Sequence, residues 1–282
     1  MLDLYVMAIN SIRGLTQALR VATSNAINFS TPGHKYAHAS FTSVYSEALS
    51  SGTLDTNPID LGQGATLGSI STDFSQGPIT LGQSLDIAIL GEGFFVISRG
   101  INASAAGVNL YTRAGRFRKN TSNEFIVDDQ GRKLYGYKTD KNGDVISTVL
   151  EPIQTGGAAQ LSFIEGGVLV SNEGEPNQKA LYKVALTTFK NKDGLIPVVG
   201  GAFKSTIASG EAFATGTAGD AIGSGADAAY GDVLARSLES SNVDIPKAAL
   251  DMNILNRNYK AQEGLIEDFG SIYKSLMGAL KA

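Results

Sequence analysis

Residues 242–282 read NVDIPKAALDMNILNRNYKAQEGLIEDFGSIYKSLMGALKA, and the rest of the chain is organised around them. Ile245, Ala248, Met252, Leu255, Tyr259, Gln262, Ile266, Phe269, Tyr273, Leu276 and Leu280 recur at alternating spacings of three and four. This is a heptad stripe on a helix, apolar everywhere except Gln262. Asp244 stands where an N-cap belongs, and Pro246 falls in the first turn, where a missing N–H costs little. No later proline interrupts the helix, which at about 1.5 Å per residue runs for roughly 54 Å. Each large apolar member left in water forgoes about 1.5–3 kcal/mol, and together they exceed the usual net stability of a domain. The stripe therefore needs a partner surface.

The opposite end of the chain carries a second stripe. Met1, Tyr5, Ala8, Ile12, Leu15, Leu19, Ala22, Ala26 and Phe29 step by four and three, and the alanines let a partner backbone come close. Asn10, Ser11, Thr16, Thr23, Ser24 and Asn25 lower its intrinsic helicity, so this helix depends on its neighbours for stability. It ends at Ser30-Thr31-Pro32-Gly33. The two terminal helices can pair within one monomer, yet the C-terminal stripe outruns its mate by a turn or two.

Between the helices the pattern changes. Residues 41–84 read as an extended Gly/Ser/Thr-rich connector with one strand near Ala65–Phe74. From about Leu85 to Ile207, short apolar runs such as Ile87-Ala88-Ile89, Phe94-Phe95-Val96-Ile97, Leu134-Tyr135-Gly136-Tyr137 and Val184-Ala185-Leu186 alternate with turns such as Asp129-Gln130-Gly131 and Asn142-Gly143. Residues 212–231 are poor in large side chains and read as a mobile or extended return. The expected fold is α+β: N- and C-terminal amphipathic helices form a coiled-coil core domain, with an all-β middle domain. The expected segments are 1–40 (N-terminal core helix), 41–84 (connector), 85–235 (β domain) and 236–282 (C-terminal core helix).

Composition excludes several classes. A net charge of −4 and a pI near 5.3 give no reason to expect nucleic acid as a partner. No apolar run is long enough to insert into a membrane. The N-terminus lacks the basic and apolar regions of a cleaved signal peptide. With no cysteine there is neither a disulfide nor a thiolate metal site. His34 and His38 are spaced like metal ligands but have no carboxylate neighbour before Glu47, so they read as a loop pair. Asp140, Asn142, Asp144 and Glu151 fit a calcium loop, but Val145 occupies the position that needs glycine, and Asn142-Gly143 reads as a hairpin turn. Gly91-Glu92-Gly93 is half a dinucleotide fingerprint, followed by a strand-like Phe94-Phe95. No catalytic constellation emerges, no cofactor or metal is expected, and the chain does not read as an enzyme.

Three blocks carry a family likeness. The first runs from Ser24-Asn25-Ala26-Ile27-Asn28 to Thr31-Pro32-Gly33-His34-Lys35. The second joins Leu85-Asp86-Ile87-Ala88-Ile89, Gly91-Glu92-Gly93-Phe94-Phe95 and Tyr111-Thr112-Arg113-Ala114-Gly115-Arg116-Phe117. The third is Leu238-Glu239-Ser240-Ser241-Asn242-Val243-Asp244, followed by Asn256-Arg257-Asn258-Tyr259-Lys260-Ala261-Gln262. In this order they resemble the bacterial flagellar axial proteins, the rod and hook subunits. Pro32 and His34 depart from that pattern, which has Thr and Phe there. Phe189, Asn191, Gly194-Leu195, Gly200-Gly201, Phe203 and Ser209-Gly210 resemble a further motif shared by rod and hook subunits.

The resemblance implies a structural subunit that leaves the cell through the flagellar type III export apparatus without a cleaved signal peptide. It then polymerises into a hollow helical tube, the periplasmic rod or the extracellular hook, lining the export channel and transmitting torque. The implied partners are further copies of itself, other axial proteins and an assembly cap. The short span between Tyr111 and Leu181 leaves little room for an inserted outer domain and favours a distal-rod type over a hook-like tube; a monomeric β-domain binding module is the remoter alternative. Interface residues are expected on the stripes: Ile12, Leu15, Leu19, Ala22, Ala26 and Phe29, with Ile245, Met252, Leu255, Tyr259, Ile266, Phe269, Tyr273, Leu276 and Leu280. The family-motif positions are Asn25, Asn28, Gly33, Asp86, Gly93, Phe94, Phe95, Tyr111, Arg113, Gly115, Glu239, Ser241, Asn242 and Arg257. Arg257 is a candidate for pairing across subunits. Glu239 and Asn242 are candidates for fixing the turn from the β body into the C-terminal helix.

Overall fold

The computed structural model describes residues 2–45, 62–100, 110–120, 122, 124–158, 160–213, 215–220 and 229–280. The chain divides into two compact units. One comprises Met1–Asn28, Tyr36–Asp73 and Val243–Ala282, the other Phe29–Lys35 and Phe74–Asn242.

The first unit contains α1 (Leu2–Ile27), the antiparallel strands β1 (Ala37–Tyr45) and β2 (Gly62–Thr72), and α2 (Ile245–Leu280). α1 is packed on by both α2 and the hairpin. Ala8, Leu15, Ala18 and Ala22 form its buried side. The expected column Ala8, Leu15, Ala22 is therefore covered. Ala18 and Asn25 are buried where Leu19 and Ala26, one position on, are only half-buried. The reason is close approach of a strand: a Cβ on Gly14 would lie 3.1 Å from the Leu67 backbone nitrogen. A strand that near tolerates only small residues beneath it, which displaces Ile12 and Leu19 to the margin.

On α2 the least exposed residue of each turn follows the heptad reading: Ala248, Met252, Leu255, Tyr259, Gln262, Ile266 and Phe269. Only Ala248 is fully buried; the others are half-covered. The single-stripe reading needs an addition, because Leu250, Ile254, Leu265 and Ile272 lie off that stripe and are about half exposed (59%, 49%, 44% and 52%). α2 thus carries more apolar surface than one partner seam can cover. Met1 and the side chains of Tyr5, Leu276 and Leu280 lie outside what is described.

The second unit is β-rich. Its strands begin with β3 (Ile79–Leu81), β4 (Ile87–Leu90), β5 (Phe94–Ser98) and β6 (Leu110–Thr112). The main sheet runs in the spatial order Leu161–Ile164, Val168–Ser171, Lys179–Val184, Lys133–Lys138, β5, β6, Ala202–Lys204, Ile196–Val198, with every pairing antiparallel. β5 is buried on both faces, as its unbroken apolar run implies. Phe95 and Ile97 enter one core with Ile87, Leu134 and Phe163. Phe94 and Val96 enter the other with Tyr111, Tyr135, Phe189 and Phe203.

Some expected boundaries shift. β3 pairs with Ser237–Glu239 and β4 with Asp232–Ala235, which extends the β unit on both sides of 85–235. The stretch 41–84, expected as a connector, holds the end of β1 and all of β2, and the units divide it after Asp73. The Val184-Ala185-Leu186 run splits at Ala185, whose N–H donates to the Tyr135 carbonyl. The return over 212–231 is tied down where it is described. Gly216 exchanges both backbone hydrogen bonds with Leu186, and Tyr230 is buried.

Candidate functional site

The motif blocks, far apart in sequence, meet at one buried carboxylate in the β unit. Glu239 is fully buried; its Oε1 accepts from Lys35 Nζ at 2.6 Å and from the Gly77 N–H at 3.0 Å. Its Oε2 faces Arg113 NH1 at 3.5 Å. Lys35 Nζ also donates to the Ser75 carbonyl at 2.7 Å. Arg113 NH2 donates to the Gly91 carbonyl at 2.7 Å, and its guanidinium lies 5.4 Å from the centre of the Phe94 ring. Burial pushes the Arg113 guanidinium below its ordinary value, while Glu239 and Glu92 act in the opposite direction. Two cations are buried around one carboxylate here. Such an arrangement persists only because its geometry and hydrogen bonds offset the cost of desolvation.

Backbone contacts reinforce the cluster. The Gly33 N–H donates to the Glu239 carbonyl at 2.8 Å, and the Asn242 N–H to the His34 carbonyl at 3.3 Å. Asn242 Nδ2 reaches the Ser75 carbonyl at 3.1 Å. Gly33 has φ +66°, and a Cβ there would lie 2.4 Å from the Ala114 nitrogen. At Gly115 a Cβ would lie 1.5 Å from the Ile87 oxygen, so only glycine lets these backbones cross. The motif glycines and the motif charges thus serve one joint. Three of the four covalent crossings between units, at Lys35/Tyr36, Asp73/Phe74 and Asn242/Val243, are within a few residues of it.

The remaining motif residues have local duties. Asn25 donates to the Ala37 carbonyl at 2.7 Å and accepts from the Ala37 N–H at 3.0 Å, so it fastens α1 to the start of β1. Asn28 donates back to the Ser24 carbonyl. Asp86 accepts from the Gln83 N–H at 2.8 Å and shapes the turn before β4. Gly93 leads into Phe94 and Phe95, both fully buried, and Tyr111 and Ser241 are buried as well. Arg257 is exposed on α2. In the helical unit, Tyr36 packs with Val243 and Ala248, and its hydroxyl donates to Asp251 at 2.7 Å. Burial, then the bond to Asp251, pushes the Tyr36 phenol up to about 12.

The expected interface residues fall into two groups. Leu15 and Ala22 are buried, whereas Ile12, Leu19, Ala26, Met252, Leu255, Tyr259, Ile266 and Phe269 are half-buried, and Phe29, Ile245 and Tyr273 are exposed. The calcium-loop residues form a hairpin turn: the Gly143 N–H donates to the Asp140 carbonyl, and Glu151 pairs with Lys138. Sequence reasoning singled out Glu239 and Arg113 and passed over Lys35, although Lys35 closes the first motif block. It also missed the buried Arg132–Asp128 pair, whose four-residue spacing spans the Asp129-Gln130-Gly131 turn and not a helix.

His34 offers a pH handle on the joint. Burial, aided by the neighbouring Lys35 ammonium, holds it below the ordinary histidine value, and its Nε2 is buried without a hydrogen-bond partner. Below a pH of about 6.5 the unfolded chain gains a proton at His34 that the folded chain refuses. Stability is therefore expected to fall as pH drops from there, until the folded imidazole itself protonates. His34→Gln should flatten this part of a denaturation-versus-pH curve. An unchanged slope would assign the dependence to other groups.

No family model matches the chain. It is similar to the flagellar basal-body rod protein FlgG of Bacillus subtilis (strain 168), 25% identical over 279 residues, covering 95% of this chain and 96% of the relative. FlgG of Agrobacterium fabrum is 29% identical over 258 residues, 88% of each chain. The flagellar hook protein FlgE of Helicobacter pylori is 32% identical over 133 residues, 44% of this chain and 17% of the relative.

Proposed function

We propose that this chain belongs with the flagellar rod and hook axial proteins and is a structural subunit of the distal-rod type, polymerising into a hollow helical tube. The observation that carries the rod reading is coverage. Rod relatives align over nearly their whole length and nearly all of this chain, whereas the hook relatives align over a minor part of theirs. A chain with an additional outer domain would not align end to end with rod proteins.

The exposed and half-exposed apolar positions of α1 and α2 support self-assembly. Surface of that extent on one helix is an interaction site in waiting, and neighbouring copies packing helix against helix would form the coiled-coil inner layer. In this reading the Glu239 joint is a mechanical part, tying together the segments that lead into the helices. We assign no catalytic role. The further partners are other axial proteins, an assembly cap and the type III export apparatus, which passes the chain unfolded. Absence of cysteine suits such passage. No described helix is long and apolar enough to cross a membrane.

Electron microscopy of the concentrated full-length protein, beside a version ending at Ser241, tests the proposal. Tubes from the full chain and none from the truncation are expected. Straight tubes fit a rod and curved ones the hook-like alternative. Discrete particles from the full chain, with both ends resistant to protease, would overturn the polymer reading.

A further inference from the structure

Arg113 is weakly held by its own bonds. One of its terminal nitrogens reaches the Gly91 carbonyl at 2.7 Å. The other stands 3.5 Å from Glu239, long for a charged hydrogen bond. Its Nε and NH1 are buried without a hydrogen-bond partner. Fixing so long a side chain is costly in rotamer freedom. It stays beside its carboxylate only if the backbone that carries it is fixed.

The strand that delivers Arg113, β6, ends one residue earlier at Thr112. Thr112 is buried and pairs with Phe95 on one side and Ala202 on the other. Its Oγ1 donates to the Gly201 carbonyl at 2.8 Å and accepts from the Ala114 N–H at 3.0 Å. A hydroxyl bonded to the N–H two positions on closes a turn around the residue between them, here Arg113. Just beyond, the Gly115 carbonyl accepts from the Ile87 N–H at 3.0 Å. Thr112 thus fixes the near end of the link that carries Arg113, and Gly115 the far end. Valine has the same shape, suits a buried strand equally and carries no hydroxyl to desolvate. The hydroxyl at position 112 is compensated only by the two bonds it makes.

The acceptor at Gly201 is itself held. The terminal nitrogens of Arg132 donate to the Val199 and Gly200 carbonyls at 3.0 and 2.9 Å, and its Nε pairs with Asp128 at 2.5 Å. Both members of that pair are buried, and neither takes part at Glu239. What they do is pin the turn whose next carbonyl takes the Thr112 hydroxyl. An unbroken run of bonds leads from Asp128 through Arg132, the turn over 199–201 and Thr112 to the backbone of Arg113. The motif from Phe189 to Gly210, which the heptad stripes do not include, thereby becomes a support of the joint.

We propose that Thr112 is a positioning residue of the joint: bonded to the Gly201 carbonyl and the Ala114 N–H, its hydroxyl sets the backbone that carries Arg113 to Glu239. The proposal deepens the reading of the Glu239 cluster as a mechanical part. It needs no polymer, so it is tested on the dilute, unassembled chain.

The measurement is amide hydrogen exchange by NMR on the full-length protein, read at Gly33 and Gly77. Their N–H groups donate to the Glu239 carbonyl and to its carboxylate. Thr112→Val removes both hydroxyl bonds at constant shape, and exchange at the two glycines should speed up by about tenfold. Thr112→Ser keeps the hydroxyl and should hold both rates at the wild-type value. Once Arg113→Met has removed the side chain being positioned, Thr112→Val should change neither rate further. A Thr112→Val chain in which only Ala114 exchanges faster would make the hydroxyl a local bond and overturn the proposal. If Thr112→Val does not fold, Asp128→Asn tests the same run of bonds from its other end. Wild-type rates at Gly33 and Gly77 in that variant would overturn the proposal likewise. Wild-type rates at both glycines in Glu239→Ala would instead remove the joint itself.

Discussion

Leu255→Asp is expected to abolish tube formation while the β unit still folds. Leu255 sits on the half-buried stripe of α2, between Met252 and Tyr259. A carboxylate there would be driven into an apolar seam on assembly with no cation to meet it. An unpaired charge in such a place costs several kcal/mol, and about 3 kcal/mol already raises the concentration for growth by more than a hundredfold. Ile266→Asp, further along the same stripe, should behave alike. Leu255→Met keeps the volume and should assemble. The measurements are tube counts by electron microscopy and the protease resistance of residues 74–242. Normal tubes from either aspartate variant would mean the stripe does not carry the subunit contact.

The second large effect concerns the joint. Glu239→Ala leaves the Lys35 ammonium and the Arg113 guanidinium buried without their shared carboxylate, and removes the acceptor of the Gly77 N–H. Breaking a buried ion pair by deleting one partner costs about 3–5 kcal/mol, which lowers the melting temperature of a unit this size by about 10 °C. Lys35→Met should cost less, because the Arg113–Glu239 pair survives it and the Met chain fills the space left by the Lys stem. That order is the test. If Lys35→Met destabilises as much as Glu239→Ala in calorimetry, the cluster is not centred on the carboxylate.

The two terminal helices were legible because a period of three and four is a property of the chain alone. The observed pattern of partial burial on α2 follows it turn by turn from Ala248 to Phe269. β5 was equally legible, since four consecutive apolar residues bounded by glycine admit few alternatives. The α1 face was read half correctly. Ala8, Leu15 and Ala22 are buried, but whether Ala18 or Leu19 joins them depends on how closely β2 approaches, and only the hairpin's own position decides that.

The joint was harder to foresee. Lys35, Gly77, Arg113 and Glu239 are far apart in sequence, and no spacing rule links a lysine to a carboxylate 204 positions away. Arg132 and Asp128 flank a turn, where their four-residue spacing carries no helical signal.

From its sequence alone the chain determined two amphipathic helices, an interposed β body and surplus apolar surface, because periodicity and composition are local quantities. Tertiary structure alone decided which carboxylate gathers the motif cations and which face of α1 is covered. Those outcomes depend on contacts between distant segments, and their energies arise only once desolvation and close approach have brought the segments together.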